Sequence, residues 1–456
     1  MARERVSVKF QEHKMGMIYL INQNQDNSGH KQVVIVGVGF VGLTLAMALC
    51  RKDFTVLGID KNQQLVKNLS LGITNVVEHG INQELKKYRN ENRFQVISHK
   101  DKWSRPEGAV TFILTVGTPL AGKKMDSTAL MESLIQISSY LKDGDLLILR
   151  STVAIGTSRN LVQPFLETLN KKVFLAMCPE RTIEGNALIE IERLPQIIGG
   201  LDTKSCEKAA SFFSHICEKV IVLSTIEGAE LLKLANNTYR DLMFAYANEI
   251  TTLSEKIGIS SREIIDAANL DYPRSMIAQP GPSGGPCLEK DPWILYFSGA
   301  QFGVEMELSK ASRMVNESST YQFVQNIITS IFDKPNEIKL GILGLSFKGS
   351  PEVNDSRGSF AKGLVEMLNA INIEIWGFEP TGEIEPVIPE IIISDGISDL
   401  LDNCDVVVVT TNHVSFRKIP DLIESKHTKS PLVLIDMWRI IDSSRLPKNV
   451  VYRSWG

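Results

Sequence analysis

The sequence has no CxxC pair, and its six cysteines, Cys50, Cys178, Cys206, Cys217, Cys287 and Cys404, are irregularly spaced. No Cys/His cluster has zinc spacing, so neither a disulfide scaffold nor a metal site is expected. The first 25 residues hold no continuous apolar core of a secretory signal, which points to free thiols in a reducing, cytoplasmic setting. Charge of one sign is also lacking: 49 Lys+Arg stand against 53 Asp+Glu, a net of −4. That balance offers no basic field to attract nucleic acid or an anionic membrane, and neither is expected as a partner. No repeat of 20–50 residues is evident. Val33 to Cys50 is 18 residues without a charge, long enough to raise a membrane span. Its three glycines, and its change from a β-branched run to Leu, Ala and Met, read instead as strand, turn and helix.

What is present is globular. With 456 residues, 43% apolar and 22% charged, the chain has material for about three domains at ~150 residues each. Residues 1–31 are polar and aperiodic and read as an N-terminal extension. From residue 32 to 222, apolar runs at 33–38, 54–60, 109–116, 145–152 and 172–180 alternate with helical stretches. Such alternation predicts βαβ units and a doubly wound parallel sheet. Residues 223–332 lack a convincing strand and hold one long helical pattern over 228–257, which predicts a central helical domain. A turn at 333–337 opens a second α/β domain, 333–456, with runs at 338–347, 373–380, 406–411 and 432–437. The fold class expected is α/β: two Rossmann-like doubly wound domains joined by a central helical domain with one long helix.

Gly37-Val38-Gly39-Phe40-Val41-Gly42 is GxGxxG, set between a strand and a helix, with Asp60 at the end of the next strand. That context is what a dinucleotide fingerprint requires. Gly37 allows the turn, Gly39 lets the backbone approach a pyrophosphate, and Gly42 lets helix pack on sheet. The helix N-terminus attracts phosphate. Asp60 would accept from the adenosine ribose, and its charge favours NAD over NADP. The alternative is a glycine turn that only packs.

A second constellation is PGPSGGPCLEKDPW (280–293), where glycines and prolines surround Cys287, with Lys290 and Asp291 at +3 and +4. A thiol attacks as thiolate, and cationic neighbours raise the thiolate fraction. Asp291 could act as a base or hold a water or an ammonium. Taken alone, Cys287 reads equally as a packed thiol in a turn. Lys233 and Asn237, at i and i+4, share a helix face, whether reactive or simply solvated. STVAIGT (151–157) and CPERTIEG (178–185) put Glu180 and Glu184 at a strand end, where α/β sheets place ligands, or in a plain surface loop. In GLSFKGSPEVNDSRGS (344–359), Lys348 and Arg357 bring cations to a glycine-bearing loop suited to pyrophosphate or carboxylate, or form an ordinary charged loop.

Together with AELLKLANNTYR (229–240) and TNH (411–413), these segments resemble the UDP-glucose/GDP-mannose dehydrogenase family, in family order, over nearly the whole chain from residue 32. The resemblance implies two successive NAD-dependent oxidations of a sugar C6 alcohol to a carboxylate. It implies an N-terminal domain for NAD, a C-terminal domain for the nucleotide of the sugar, and a homodimer built on the central helix. By resemblance, Cys287 attacks the C6 aldehyde, Lys233 and Asn237 stabilise charge on the C6 oxygen, and Asp291 orders water and Lys233. Glu184 matches a glutamate of base catalysis and thioester hydrolysis, with Thr152 near that water. Cofactor contacts carried over are Gly37, Gly39, Phe40, Val41, Gly42, Asp60, Thr118, Thr152, Lys290 and Arg357. Substrate contacts are Glu180, Lys233, Asn237, Gly284, Gly285 and Lys348.

Some positions depart from the family pattern. Pro282 or Ser283 replaces a glycine, Gly358 stands where glucose-type members often have Glu, Asn354 replaces an acid, and Glu379 replaces Asp. CPERTIEG and GGPCLEKDPW lean toward members acting on UDP-N-acetylhexosamines. Two other functions remain open on sequence. One is a two-electron dehydrogenase of the 6-phosphogluconate or hydroxyacid type, which needs neither the Cys287 loop nor a second α/β domain. The other is a catalytically silent nucleotide-sugar-binding protein.

Overall fold

The computed structural model describes residues 19–20, 31–332, 337–370, 372–424 and 432–456. Most of the N-terminal extension and all but Glu337 of the turn expected at 333–337 lie outside the described residues. The chain forms two compact units, Met1–Ala235 and Asn236–Gly456, and the boundary falls within the helix Ile226–Ile257.

The first unit carries β1 (Tyr19–Leu20), β2 (Gln32–Val36), β3 (Thr55–Asp60), β4 (Phe94–Ser98), β5 (Thr111–Leu114), the small hairpin β6 (Leu120–Ala121) and β7 (Lys124–Met125), β8 (Leu146–Leu149), β9 (Phe174–Met177), β10 (Gln196–Gly200) and β11 (Val220–Val222). Its main sheet runs β1-β11-β10-β9-β8-β5-β2-β3-β4. The six strands from β4 to β9 are parallel. Counted from β2, their order is 3-2-1-4-5-6, the dinucleotide-binding order whose switch point lies between β2 and β5. Alternation explains the two-sided burial: Val33 and Ile35 enter one core, Val34 and Val36 the other.

The expected parallel sheet ends at β9. β10 runs antiparallel to it, because the chain leaving β9 through Cys178–Pro195 turns back at the same sheet end rather than crossing over. The N-terminal extension is not wholly outside the fold, since β1 pairs antiparallel with β11, Tyr19 opposite Val222.

In the second unit every element among the described residues up to Ile331 is helical. A parallel sheet follows: β12 (Lys339–Leu343), β13 (Glu374–Phe378), β14 (Ile392–Ile393), β15 (Val406–Val409), β16 (Leu432–Asp436) and β17 (Val450–Ser454), in the order β14-β13-β12-β15-β16-β17. Counted from β12 this is again 3-2-1-4-5-6. Both sheets therefore place a crevice beside the end of their first strand.

Candidate active site

The turn after β2 has the shape a dinucleotide phosphate needs. Gly37 has φ +90°, a region that favours glycine. A Cβ on Gly42 would stand 2.0 Å from the Gly37 carbonyl oxygen, so the helix Phe40–Arg51 can approach the turn only without one. Gly39 differs: nothing lies within 4 Å of where its Cβ would be, leaving the backbone open above the helix N-terminus. Asp60, at the end of β3, accepts from the Val38 N–H at 2.8 Å and from the Asn62 N–H at 2.8 Å. Its carboxylate thus sits beside the turn, where a ribose hydroxyl is read. These residues fit NAD. Phe40 and Val41 form the first helical turn.

At the ends of β5 and β8 the Thr118 hydroxyl donates to the Thr152 carbonyl at 2.6 Å, which joins two sequence-predicted contacts. Glu230, on the central helix, accepts from the Gly156 N–H at 2.6 Å and from the Ser158 N–H and hydroxyl at 2.8 and 2.6 Å. It ties STVAIGT to the helix that carries Lys233, one turn further on. Glu180 is buried and ion-paired with Arg150, which also donates to Gln196 at 2.9 Å. The Arg181 and Thr182 N–H groups donate to its second oxygen at 2.7 and 2.8 Å. Burial alone would raise the Glu180 carboxyl. The Arg150 guanidinium, the Thr182 N–H and the Lys233 ammonium outweigh it and hold the group below the usual carboxylate range. Glu184 lies half-buried in the turn before the helix Ala187–Arg193.

In the second unit Cys287 is half-buried within the short helix Gly285–Leu288. Each glycine of its loop meets a neighbour too close for a side chain. A Cβ on Gly281 would meet the Trp438 ring at 2.9 Å, one on Gly284 the Gly358 carbonyl at 2.2 Å, and one on Gly285 the Phe347 ring at 2.6 Å. The Gly285 N–H donates to the Gly358 carbonyl at 2.8 Å. Gly358 itself has φ +60°, which favours glycine, and a Cβ there would lie 3.0 Å from the Gly285 carbonyl oxygen.

Asp291 opens the next helix, Asp291–Gln301, and is fully buried. Asn237 donates to its Oδ2 at 2.6 Å, and Lys290 donates to its Oδ1 at 2.6 Å. Both oxygens are thus engaged, and Lys290 is turned to Asp291. Arg357 folds onto Asp355 within its own loop, its Nε donating to both oxygens at 3.0 Å. Lys348 lies 5.5 Å from the centroid of the Phe347 ring. Glu379 accepts from the Leu345 and Ser346 N–H groups at 2.7 and 2.9 Å, as Asp60 does after β2.

Sequence reasoning missed Arg150, Gln196, Glu230, Asp241, Asn248, Arg313 and Trp438. None sits in a recognisable spacing, although Arg150 directly follows the uncharged strand run Leu146–Leu149. That oddity is a usable signal for a buried pair. Among the described residues no group of three or more His, Cys, Asp and Glu is arranged to hold a metal, and no helix is long and apolar enough to cross a membrane.

Three segments match the UDP-glucose/GDP-mannose dehydrogenase family: its NAD binding domain over residues 31–217, its central domain over 227–318 and its UDP binding domain over 341–443. The chain belongs to this family. It is an NAD-dependent nucleotide-sugar dehydrogenase. It is 30% identical over 409 residues to a UDP-N-acetyl-D-mannosamine dehydrogenase of Methanococcus maripaludis, spanning 87% of this chain and 90% of that one. Among solved structures, a UDP-D-ManNAc dehydrogenase from Pyrococcus horikoshii superposes with TM-score 0.80 at 26% identity, covering 93% of this chain and 99% of that one. The UDP-N-acetyl-mannosamine dehydrogenase of Staphylococcus aureus gives TM-score 0.78 at 28% identity, covering 93% and 98%. The nucleotide-sugar dehydrogenase thus shares its fold along nearly its whole length with these relatives.

Proposed function

We propose that this chain oxidises the C6 hydroxyl of a UDP-N-acetylhexosamine, UDP-N-acetylmannosamine foremost, to the uronate through a covalent Cys287 adduct. The observation that carries it is the Cys287 loop itself, held against the central helix with Asp291 buried behind it and bonded to Asn237. The choice of sugar rests on the relatives, named for UDP-N-acetylmannosamine, and on the GGPCLEKDPW and CPERTIEG segments.

Gly37, Gly39, Gly42 and Asp60 would hold NAD, which when bound would supply the hydride acceptor for each of the two oxidations. Cys287 Sγ adds to the aldehyde carbon formed in the first oxidation, giving a thiohemiacetal. The second oxidation leaves a thioester, which water cleaves to carboxylate and thiol. Lys233 and Asn237 stabilise charge on the C6 oxygen. Asp291 fixes the Asn237 amide by accepting from it, so the amide is aimed before substrate arrives. Glu184 and Thr152 serve the water that cleaves the thioester, and Glu180, Gly284, Gly285 and Lys348 contact substrate. Thr118, Lys290 and Arg357 are assigned to the cofactor. The working enzyme is a homodimer that meets through the central helix.

NADH formation decides the reading, measured with UDP-N-acetylmannosamine, UDP-N-acetylglucosamine, UDP-N-acetylgalactosamine, UDP-glucose and GDP-mannose. Two NADH per sugar with UDP-N-acetylmannosamine preferred is expected, and none with Cys287→Ser. One NADH per sugar overturns the thioester step, and preference for another sugar overturns the substrate.

A further inference from the structure

The residues that hold the Cys287 loop form an ordered set on the central helix. Asn237, Asp241 and Asn248 lie on the buried side of Ile226–Ile257, at positions four and seven residues apart. Each grips a different point of the loop. Asn237 donates to Asp291 at 2.6 Å. Asp241 Oδ1 accepts from the Ser283 hydroxyl at 3.1 Å. Asn248 makes a reciprocal pair with the Gly281 backbone, donating to its carbonyl and accepting from its N–H, both at 3.0 Å. As the helix advances from 237 to 248 the loop retreats from 291 to 281. The loop is therefore laid antiparallel along the helix, and Cys287 lies between the anchors at 283 and 291.

Asp241 is the costly member of the set. It is fully buried, and its Oδ1 also accepts from Arg313 at 2.7 Å and from Asn316 at 2.9 Å. Its Oδ2 is buried with no hydrogen-bond partner. A carboxylate buried with one bare oxygen opposes folding, and apolar side chains in place of the whole Asp241–Arg313 pair would pack the helix at lower cost. Arg313, itself buried, and Asn316 lock Oδ1 in place, and Ser283 is the donor among its partners that belongs to the reactive loop. We propose that Asp241, braced by Arg313 and Asn316, is a positioning residue that fixes where Cys287 stands by holding Ser283. This rests on the reading of Cys287 as the nucleophile. It also gives a purpose to the hydroxyl of Ser283, in the Pro282-Ser283 pair where the family pattern has a further glycine.

The test uses the full-length enzyme with Ser283→Ala, Ser283→Thr, Asp241→Asn and Cys287→Ser. Ser283→Ala removes the anchor and leaves the Asp241–Arg313 pair whole. It is expected to lower kcat about tenfold, as the loss of one bond to a charged group implies, with KM for the nucleotide sugar changed less than about twofold. Alkylation of Cys287 by iodoacetamide, followed by peptide mass mapping without cofactor or substrate, is expected to change rate by about threefold or more, because the thiol loses its fixed seat. Ser283→Thr keeps the hydroxyl and is expected to restore both values. Asp241→Asn keeps an Oδ1 that Ser283 can donate to but removes the charge, so it should lower kcat less than Ser283→Ala does. If it yields no folded protein because Arg313 is left unpaired, the serine pair decides. Ser283→Ala with wild-type kcat and alkylation rate, or a drop that Ser283→Thr fails to restore, overturns the proposal. Turnover surviving Cys287→Ser overturns the reading beneath it instead, so the two failures are told apart.

Discussion

Gly39 and Gly42 stand three residues apart in one motif, yet their surroundings differ. A methyl at Gly42 would meet a backbone oxygen at 2.0 Å, and one at Gly39 would meet nothing within 4 Å. Gly42→Ala should therefore destabilise the first unit by about 1–3 kcal/mol, the usual range for overpacking, read as a fall in unfolding midpoint. Gly39→Ala should leave the midpoint unchanged and weaken NAD binding about tenfold or more in calorimetry, since the open space is kept for a ligand. Wild-type NAD affinity in Gly39→Ala would count against the assigned role of this turn. Both glycines were legible in the sequence because a motif spacing names them. Asp241, Arg313 and Asn248 were not, because they act through partners 30 or more residues away and no local spacing announces such contacts. Asn237 stood out through its neighbour at i−4, while its bond to Asp291 became visible only in the fold.

At the scale of elements, the buried runs were legible and the shallow ones were not. VVIV, FIL, LLIL and LAM are buried on both faces and read as continuous apolar strands. β14 is exposed and two residues long, and β17 is only partly buried, and each leaves only a three-residue apolar run, 391–393 and 450–452, too short to stand out. The reversal at β10 is a property of the connection rather than of the strand, and composition does not encode it. The ends of β8 and β9 are joined through Arg150 and Glu180, and this pair makes a sign-definite prediction. The folded Glu180 carboxyl lies below its ordinary value of 4.5. Its contribution to stability is thus complete above that value and is lost as pH falls through the folded one. Arg150→Met should destabilise by about 3–5 kcal/mol near neutrality, because it strands a buried charge. The deficit relative to wild type should shrink on acidification, as the stranded carboxyl takes up a proton and the wild type then loses its own contribution below pH 4.5. Chemical denaturation across that range checks it, and a deficit that grew with acid would contradict the pairing.

Across the whole molecule, the domain pattern α/β, α, α/β could be read from alternation alone, and both sheets proved to share one strand order. The sequence reading implied a second copy only through resemblance, and the structure adds a physical reason for the proposed homodimer. Tyr239, Tyr246 and Leu253 are seven apart on the central helix, and Ile257 is four further on. All four remain exposed, by 58%, 51%, 59% and 60%. Seven residues are close to two turns, so these side chains form one apolar stripe in water, a costly arrangement for a monomer. Under a two-fold axis the same stripe meets itself, so a single patch can complete both sides of the interface. Sedimentation equilibrium at micromolar concentration should therefore give about twice the 50.7 kDa chain mass. Tyr246→Glu combined with Leu253→Glu places like charges across that axis and should yield a species of single-chain mass with unchanged helical circular dichroism. A wild-type chain that sediments as a monomer, or a double variant that stays paired, would leave the stripe without the partner assigned to it.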